Sequence, residues 1–169
     1  MHSKIKQLLL IRHAKAEQIL IGKDFARQLT ERGHEDCKTM CERLKKLEFT
    51  ADSILTSSAA RTIQTAENFA KKMHWNHKIL QAVPEFYNAD HSVLFNAIAK
   101  SDDKLSSLVI VAHNPGISIL YNLLTREDNF DLPTCGMALF SLDSIHWEDI
   151  NLKKCRLDYV SWPKKEEQK

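Results

Sequence analysis

The run Leu8-Leu9-Leu10-Ile11 passes without a break into Arg12 and His13. Successive side chains of a strand point to opposite faces, so a continuously aliphatic strand needs cover on both sides. Two other segments share this grammar: "DSILTSS" ends at Ser57, and "LSSLVIVA" ends at His113. Each is followed by a polar turn and then an amphipathic stretch, and alternating strands and helices of this kind predict a mainly parallel sheet with right-handed crossovers.

The helices can be placed in the same way. Glu31–Leu47 carries Cys37, Met40, Cys41, Leu44 and Leu47 on one stripe, with Gly33 in its first turn. That spacing makes Cys37 and Cys41 small core hydrophobes, in preference to a metal site or disulfides. In "AARTIQTAENFAKKM" the shared face is Ile63, Ala66, Ala70 and Met73. In "HNPGISILYNLL", Asn114 suits a helix cap and Pro115 the first helical position. Another helix is expected to start at Asp90. Toward the C-terminus, "MALFSLD" and "KCRLDYVSW" read as an antiparallel hairpin. The expectation is an α/β protein: a three-layer α/β/α sandwich with a mainly parallel central sheet and a C-terminal antiparallel hairpin. Residues 1–163 form one domain and 164–169 a charged, solvated tail.

Composition narrows the function classes. A net charge of +2 demands neither a nucleic acid nor an anionic membrane as partner. No apolar run approaches the roughly 20 residues of a spanning helix, and no apolar secretory segment follows "MHSKIKQ". The expected location is the cytoplasm.

In open parallel sheets, ligands bind beyond the carboxyl ends of the strands. Here the three strand ends deliver Arg12 with His13, Ser57 with Arg61 one helical turn on, and His113 with the "HNPG" turn. A lone histidine or arginine at a strand end is usually structural. Two of each, arriving from distant parts of the chain, point to an anion site, because planar guanidinium forks and helix N-termini suit phosphate. Phosphoryl transfer gives each group a role. His13 is the nucleophile, Arg12 and Arg61 clamp the oxygens, His113 donates to the developing charge, and Ser57 joins the phosphate contacts.

"LLLIRHAKAE", "SSAARTIQTAE" and "VIVAHNPG" resemble the three blocks of the histidine phosphatase superfamily. The short length, "DFARQLTERG" at Asp24–Gly33, "LPTCGMALF" and the late Trp162-Pro163 are most similar to its SixA-type phosphohistidine phosphatases. The resemblance implies a phosphohistidine intermediate at His13, a pocket completed by Arg12, Arg61 and His113, and no metal or other cofactor. It also implies a proton donor at Glu85 in "VPEFYNAD" and a substrate contact at Arg27. The partner implied is a phosphorylated protein carrying phosphohistidine, or else a small phosphorylated substrate. Ala14 replaces the superfamily's usual glycine, and Gln28 stands where related sequences often have proline.

The rival readings are weaker. Cys37 and Arg43 have the C-x5-R spacing of cysteine-dependent phosphatases, but that mechanism needs a glycine-assisted loop and this segment reads as helix. No H-x-H or H-E-x-x-H spacing supports a zinc hydrolase. A small-molecule phosphatase or mutase-like enzyme of the same superfamily would need extra chain to enclose its substrate, and little is to spare. A non-catalytic phosphate-binding module would not need the nucleophile.

Overall fold

The computed structural model describes residues 5–18, 23–151 and 154–165. Its six strands are β1 (Lys6–Arg12), β2 (Ser53–Ser57), β3 (Leu80–Val83), β4 (Ser107–Ala112), β5 (Met137–Leu142) and β6 (Cys155–Ser161). They form one sheet in the order β3-β2-β4-β1-β5-β6. The first four strands of that order run parallel, β5 is antiparallel to β1, and β6 is antiparallel to β5. The parallel sheet and the C-terminal hairpin are therefore as expected. The short edge strand β3, only half-buried, lacks the long aliphatic run that marks the others.

The two-faced burial expected of the aliphatic strands is present. Leu9, Ile11, Val109, Val111, Met137 and Leu139 face one core with α1 (Glu31–Lys45) and α2 (Ala60–Lys72). Leu8, Leu10, Leu108, Ile110, Ala138 and Phe140 face a second core with α3 (His91–Ala99) and α4 (Gly116–Thr125). Cys37, Cys41 and Cys135 are fully buried in the first core as free thiols. No helix among the described residues is long and apolar enough to cross a membrane.

Three local expectations need correction. The buried face of α2 is Arg61, Thr62, Thr65, Ala66, Phe69 and Ala70, while Ile63 and Met73 are only half-buried. Polar Arg61, Thr62 and Thr65 lie inward because the helix begins at the site, so apolarity alone misplaces its face. The cap position of α4 is taken by Pro115, which follows a cis peptide bond, and Asn114 binds Ser118 and Asp131 side chains instead of a helix amide. At the C-terminus Lys165 is anchored: its amide donates to the Trp162 carbonyl and its ammonium to that of Val160, over the Trp162 ring. Residues 166–169 of the expected tail lie outside the described residues.

Gly33 shows how tightly the fold closes behind the first strand. Thr30 caps α1 by accepting from the Gly33 amide, and its own amide donates to the Lys15 carbonyl at 2.9 Å. A Cβ on Gly33 would lie 2.2 Å from that carbonyl oxygen. Only glycine allows the approach.

Candidate active site

Sheet register assembles the site. Arg12 pairs with Ala112 in the parallel β1–β4 ladder, so the next residues, His13 and His113, emerge side by side with ring centroids 5.3 Å apart. Thr56 pairs with Val111, which sets Ser57 beside the end of β4. Its hydroxyl oxygen lies 2.7 Å from His113 Nε2. Arg61, 3% exposed, projects from the first turn of α2.

The protonation of His13 follows from its partner. Its Nδ1 lies 2.8 Å from the carbonyl oxygen of Ala14. A carbonyl can only accept, so Nδ1 carries the proton and Nε2 keeps its lone pair. Ala14 is itself held because its backbone N–H donates to Thr65 Oγ1 at 3.0 Å, and that hydroxyl donates to the Arg61 carbonyl at 2.7 Å. The nucleophile candidate and the arginine helix are thus braced by one threonine. Ala14 is fully buried among apolar neighbours and is not among the residues with positive φ, so a methyl suits this position.

Burial holds the His13 imidazole down to about 4, helped by the positive charges of Arg61, Arg12 and Arg27 and opposed by the bond to Ala14. Burial, then Arg61, pushes His113 down to about 3. Both rings are therefore neutral near pH 7.

The guanidinium groups are fixed by backbone. Arg12 Nη1 donates to the Leu132 carbonyl at 2.8 Å, with Asp131 3.9 Å away. Arg61 Nη1 donates to the Asp24 carbonyl at 2.7 Å, and Nη2 to the Asp24 carboxylate at 3.2 Å. Arg12 Nε, Arg61 Nε and His113 Nδ1 are buried and have no partner among the described residues. The two arginine Nε groups can only donate, and orphaned buried donors are costly unless something fills the site; an oxyanion would satisfy them.

Asp24 and Tyr87 belong to this arrangement and escaped the sequence reading. Beyond Arg61, Asp24 accepts from Arg27 Nη1 at 2.9 Å and from the Tyr87 hydroxyl at 2.7 Å. The Tyr87 bond, with Arg27 and Arg61, holds its carboxyl down to about 2. Tyr87 in turn stands edge-on to His113, ring centroids 5.9 Å apart. The available signals were faint: an aspartate three residues before Arg27, and an aromatic two residues after Glu85.

The remaining candidates are less central. Arg27 is tied to Asp24 and to the Glu17 carbonyl at 2.7 Å, and reaches His13 through its charge. Gln28 donates its amide to the Glu17 carboxylate at 3.2 Å, a bond that proline at this position could not make. Glu85 is exposed on the turn Pro84–Phe86 that leads to Tyr87. Arg43 points away, to Ser161, Trp162 and Lys165, so the C-x5-R spacing is coincidental.

Comparison with known proteins agrees with the geometry. The model of the histidine phosphatase superfamily (branch 1) matches residues 8–104. An uncharacterized chloroplastic protein of Arabidopsis thaliana is 27% identical over 155 residues, which cover 85% of this chain and 70% of that protein. The fold superposes on the proposed phosphohistidine phosphatase SixA from Agrobacterium tumefaciens with a TM-score of 0.79 and 25% identity, covering 92% of this chain and 97% of that one. A protein histidine phosphatase SixA complexed with tungstate shares the fold at a TM-score of 0.78 and 21% identity, covering 93% and 97%.

Proposed function

The chain belongs to the histidine phosphatase superfamily, and from that premise we propose that it removes phosphate from phosphohistidine on proteins, without a metal, through an intermediate on His13. One observation carries the reading. The Ala14 carbonyl fixes the His13 proton on Nδ1, leaving a nucleophilic Nε2 in a site where two buried arginine Nε donors lack an acceptor.

In the first step Nε2 of His13 attacks phosphorus, and the bond from phosphorus to the substrate's imidazole nitrogen breaks. The departing imidazole keeps the bonding pair and takes a proton, from Glu85 or from solvent. Arg12 and Arg61 hold the equatorial oxygens, whose charge is the main obstacle to transfer. Water then attacks phosphorus, and the bond to His13 Nε2 breaks with its pair returning to the ring. The water's surplus proton goes to Glu85 or to solvent, which releases inorganic phosphate and restores the imidazole. The neutral state of His13 supports this order, since a protonated ring has no lone pair to give. The two guanidinium groups supply the positive charge that a cation would bring, so turnover should survive exhaustive chelation.

The 25% identity to the Agrobacterium protein across nearly its whole length supports the choice of substrate. The test compares kcat/KM on a phosphohistidine peptide with that on a phosphoserine peptide and a small alkyl phosphate. Preference for phosphohistidine is expected, as is enrichment of phosphohistidine carriers by His13→Ala from lysate. Preference for the alkyl phosphate would transfer the assignment to a small-molecule phosphatase.

A further inference from the structure

Neutral imidazole carries its one proton on either nitrogen, and the choice decides whether His113 offers the site a donor or a lone pair. Its Nε2 lies 2.7 Å from the Ser57 hydroxyl oxygen, while Nδ1 is buried without a partner. Distance alone does not assign the proton, because a hydroxyl can give or take. The surroundings of Ser57 do. Its oxygen already accepts the Ala59 amide at 3.4 Å, which occupies one acceptor direction. If Nε2 donated to it as well, the serine proton would need another acceptor, and no other bond to this hydroxyl is present among the described residues. Ser57 is fully buried, so that proton would be stranded and the Nδ1 lone pair would be unmatched as well, whereas a serine that donates to Nε2 leaves only the Nδ1 proton without a partner.

We propose that Ser57 is a positioning residue that sets the tautomer of His113: its hydroxyl donates to Nε2, leaving the proton on Nδ1. His113 then joins Arg12 Nε and Arg61 Nε as a third donor while remaining uncharged. The opposite tautomer would aim a lone pair at an incoming phosphate oxygen. Free imidazole side chains favour the proton on Nε2, so the serine must hold the rarer form. The kinetic consequence rests on the proposed phosphatase reading; the tautomer itself does not.

The experiment uses the 15N-histidine-labelled full chain and long-range proton–nitrogen correlation, which distinguishes protonated from bare ring nitrogens. In the resting protein His113 should show a protonated Nδ1 and a bare Nε2. Ser57→Ala should move the population toward Nε2–H, weaken competitive inhibition by inorganic phosphate, and lower kcat/KM by roughly 10- to 100-fold, below or near the loss of a whole oxyanion donor. Ser57→Thr, which keeps the hydroxyl, should retain the Nδ1–H pattern and most of the rate. A protonated Nε2 in the resting protein would overturn the proposal, and that measurement needs no variant to fold. So would a Ser57→Ala variant that loses rate with the Nδ1–H pattern intact, since Ser57 would then act by packing alone. The predicted tautomer in a protein inactive on every phosphate would leave this inference standing and remove the phosphatase reading instead.

Discussion

Lowering the pH should destabilise this fold through the two site histidines, and replacing one of them should remove about half of the effect. An unfolded histidine titrates near 6.5, whereas His13 is held to about 4 and His113 to about 3. Both folded values are depressed, so the unfolded chain binds more protons as pH falls through 6.5, and stability is lost in that direction. Midway through the window the difference is about two protons, a slope of about 3 kcal/mol per pH unit. Integrated from pH 7 to pH 5, the two rings together cost about 4 kcal/mol, a large share of ordinary domain stability. Asp24 adds nothing there, since its stabilisation is lost only as pH falls from about 3.8 toward about 2. His146, exposed and paired with Asp103, shifts upward and works in the opposite sense. Urea unfolding at pH 7, 6 and 5 should show His13→Asn losing about 2 kcal/mol less than the wild type over that range. The same depression should keep His13 competent in acid: at pH 5.5 most of it stays neutral, against about a tenth of an unshifted ring. Parallel pH dependences for the two proteins would refute the argument, because His13 would then titrate alike in both states.

Three further outcomes follow from the geometry. Glu85→Gln should slow a phosphohistidine peptide only mildly, because imidazole leaves easily, while reducing any alkyl phosphatase activity by about 10²–10⁴-fold; equal losses in kcat/KM on both substrates would contradict the proton-donor role. Asp24→Ala should lower stability in urea by roughly 1–3 kcal/mol by leaving the buried Arg61 guanidinium without its carboxylate, and unchanged unfolding would mean that Arg61 finds another acceptor. Gly33→Ala should destabilise by about 1–3 kcal/mol, since a Cβ 2.2 Å from the Lys15 oxygen forces backbone to move; thermal unfolding reads this directly.

The strand ends were legible because their physics is local. Leu8–Ile11 and Leu108–Ala112 need cover on both faces, and residues just past such strands meet at one sheet edge whatever the loops do. Arg12, His13, Ser57, Arg61 and His113 were found on that logic. Asp24 and Tyr87 were not, because they reach the site by folding back from loops with no periodicity, and the hydrogen bond that unites them spans 63 residues. The inward face of α2 misled for a related reason. Thr65 looks like a surface residue by type, yet it is buried to hold the amide of Ala14. The cis bond before Pro115 placed a proline where a polar cap was expected.

The central claim is that His13 carries the phosphoryl group during turnover. Rapid acid-free quenching of the enzyme with radiolabelled substrate, followed by peptide mapping, tests it most directly. The account predicts an acid-labile, base-stable label on the peptide containing His13, formed within the first turnover and absent from His13→Ala. Stoichiometric label retained by His13→Ala, or found on another residue, would contradict it.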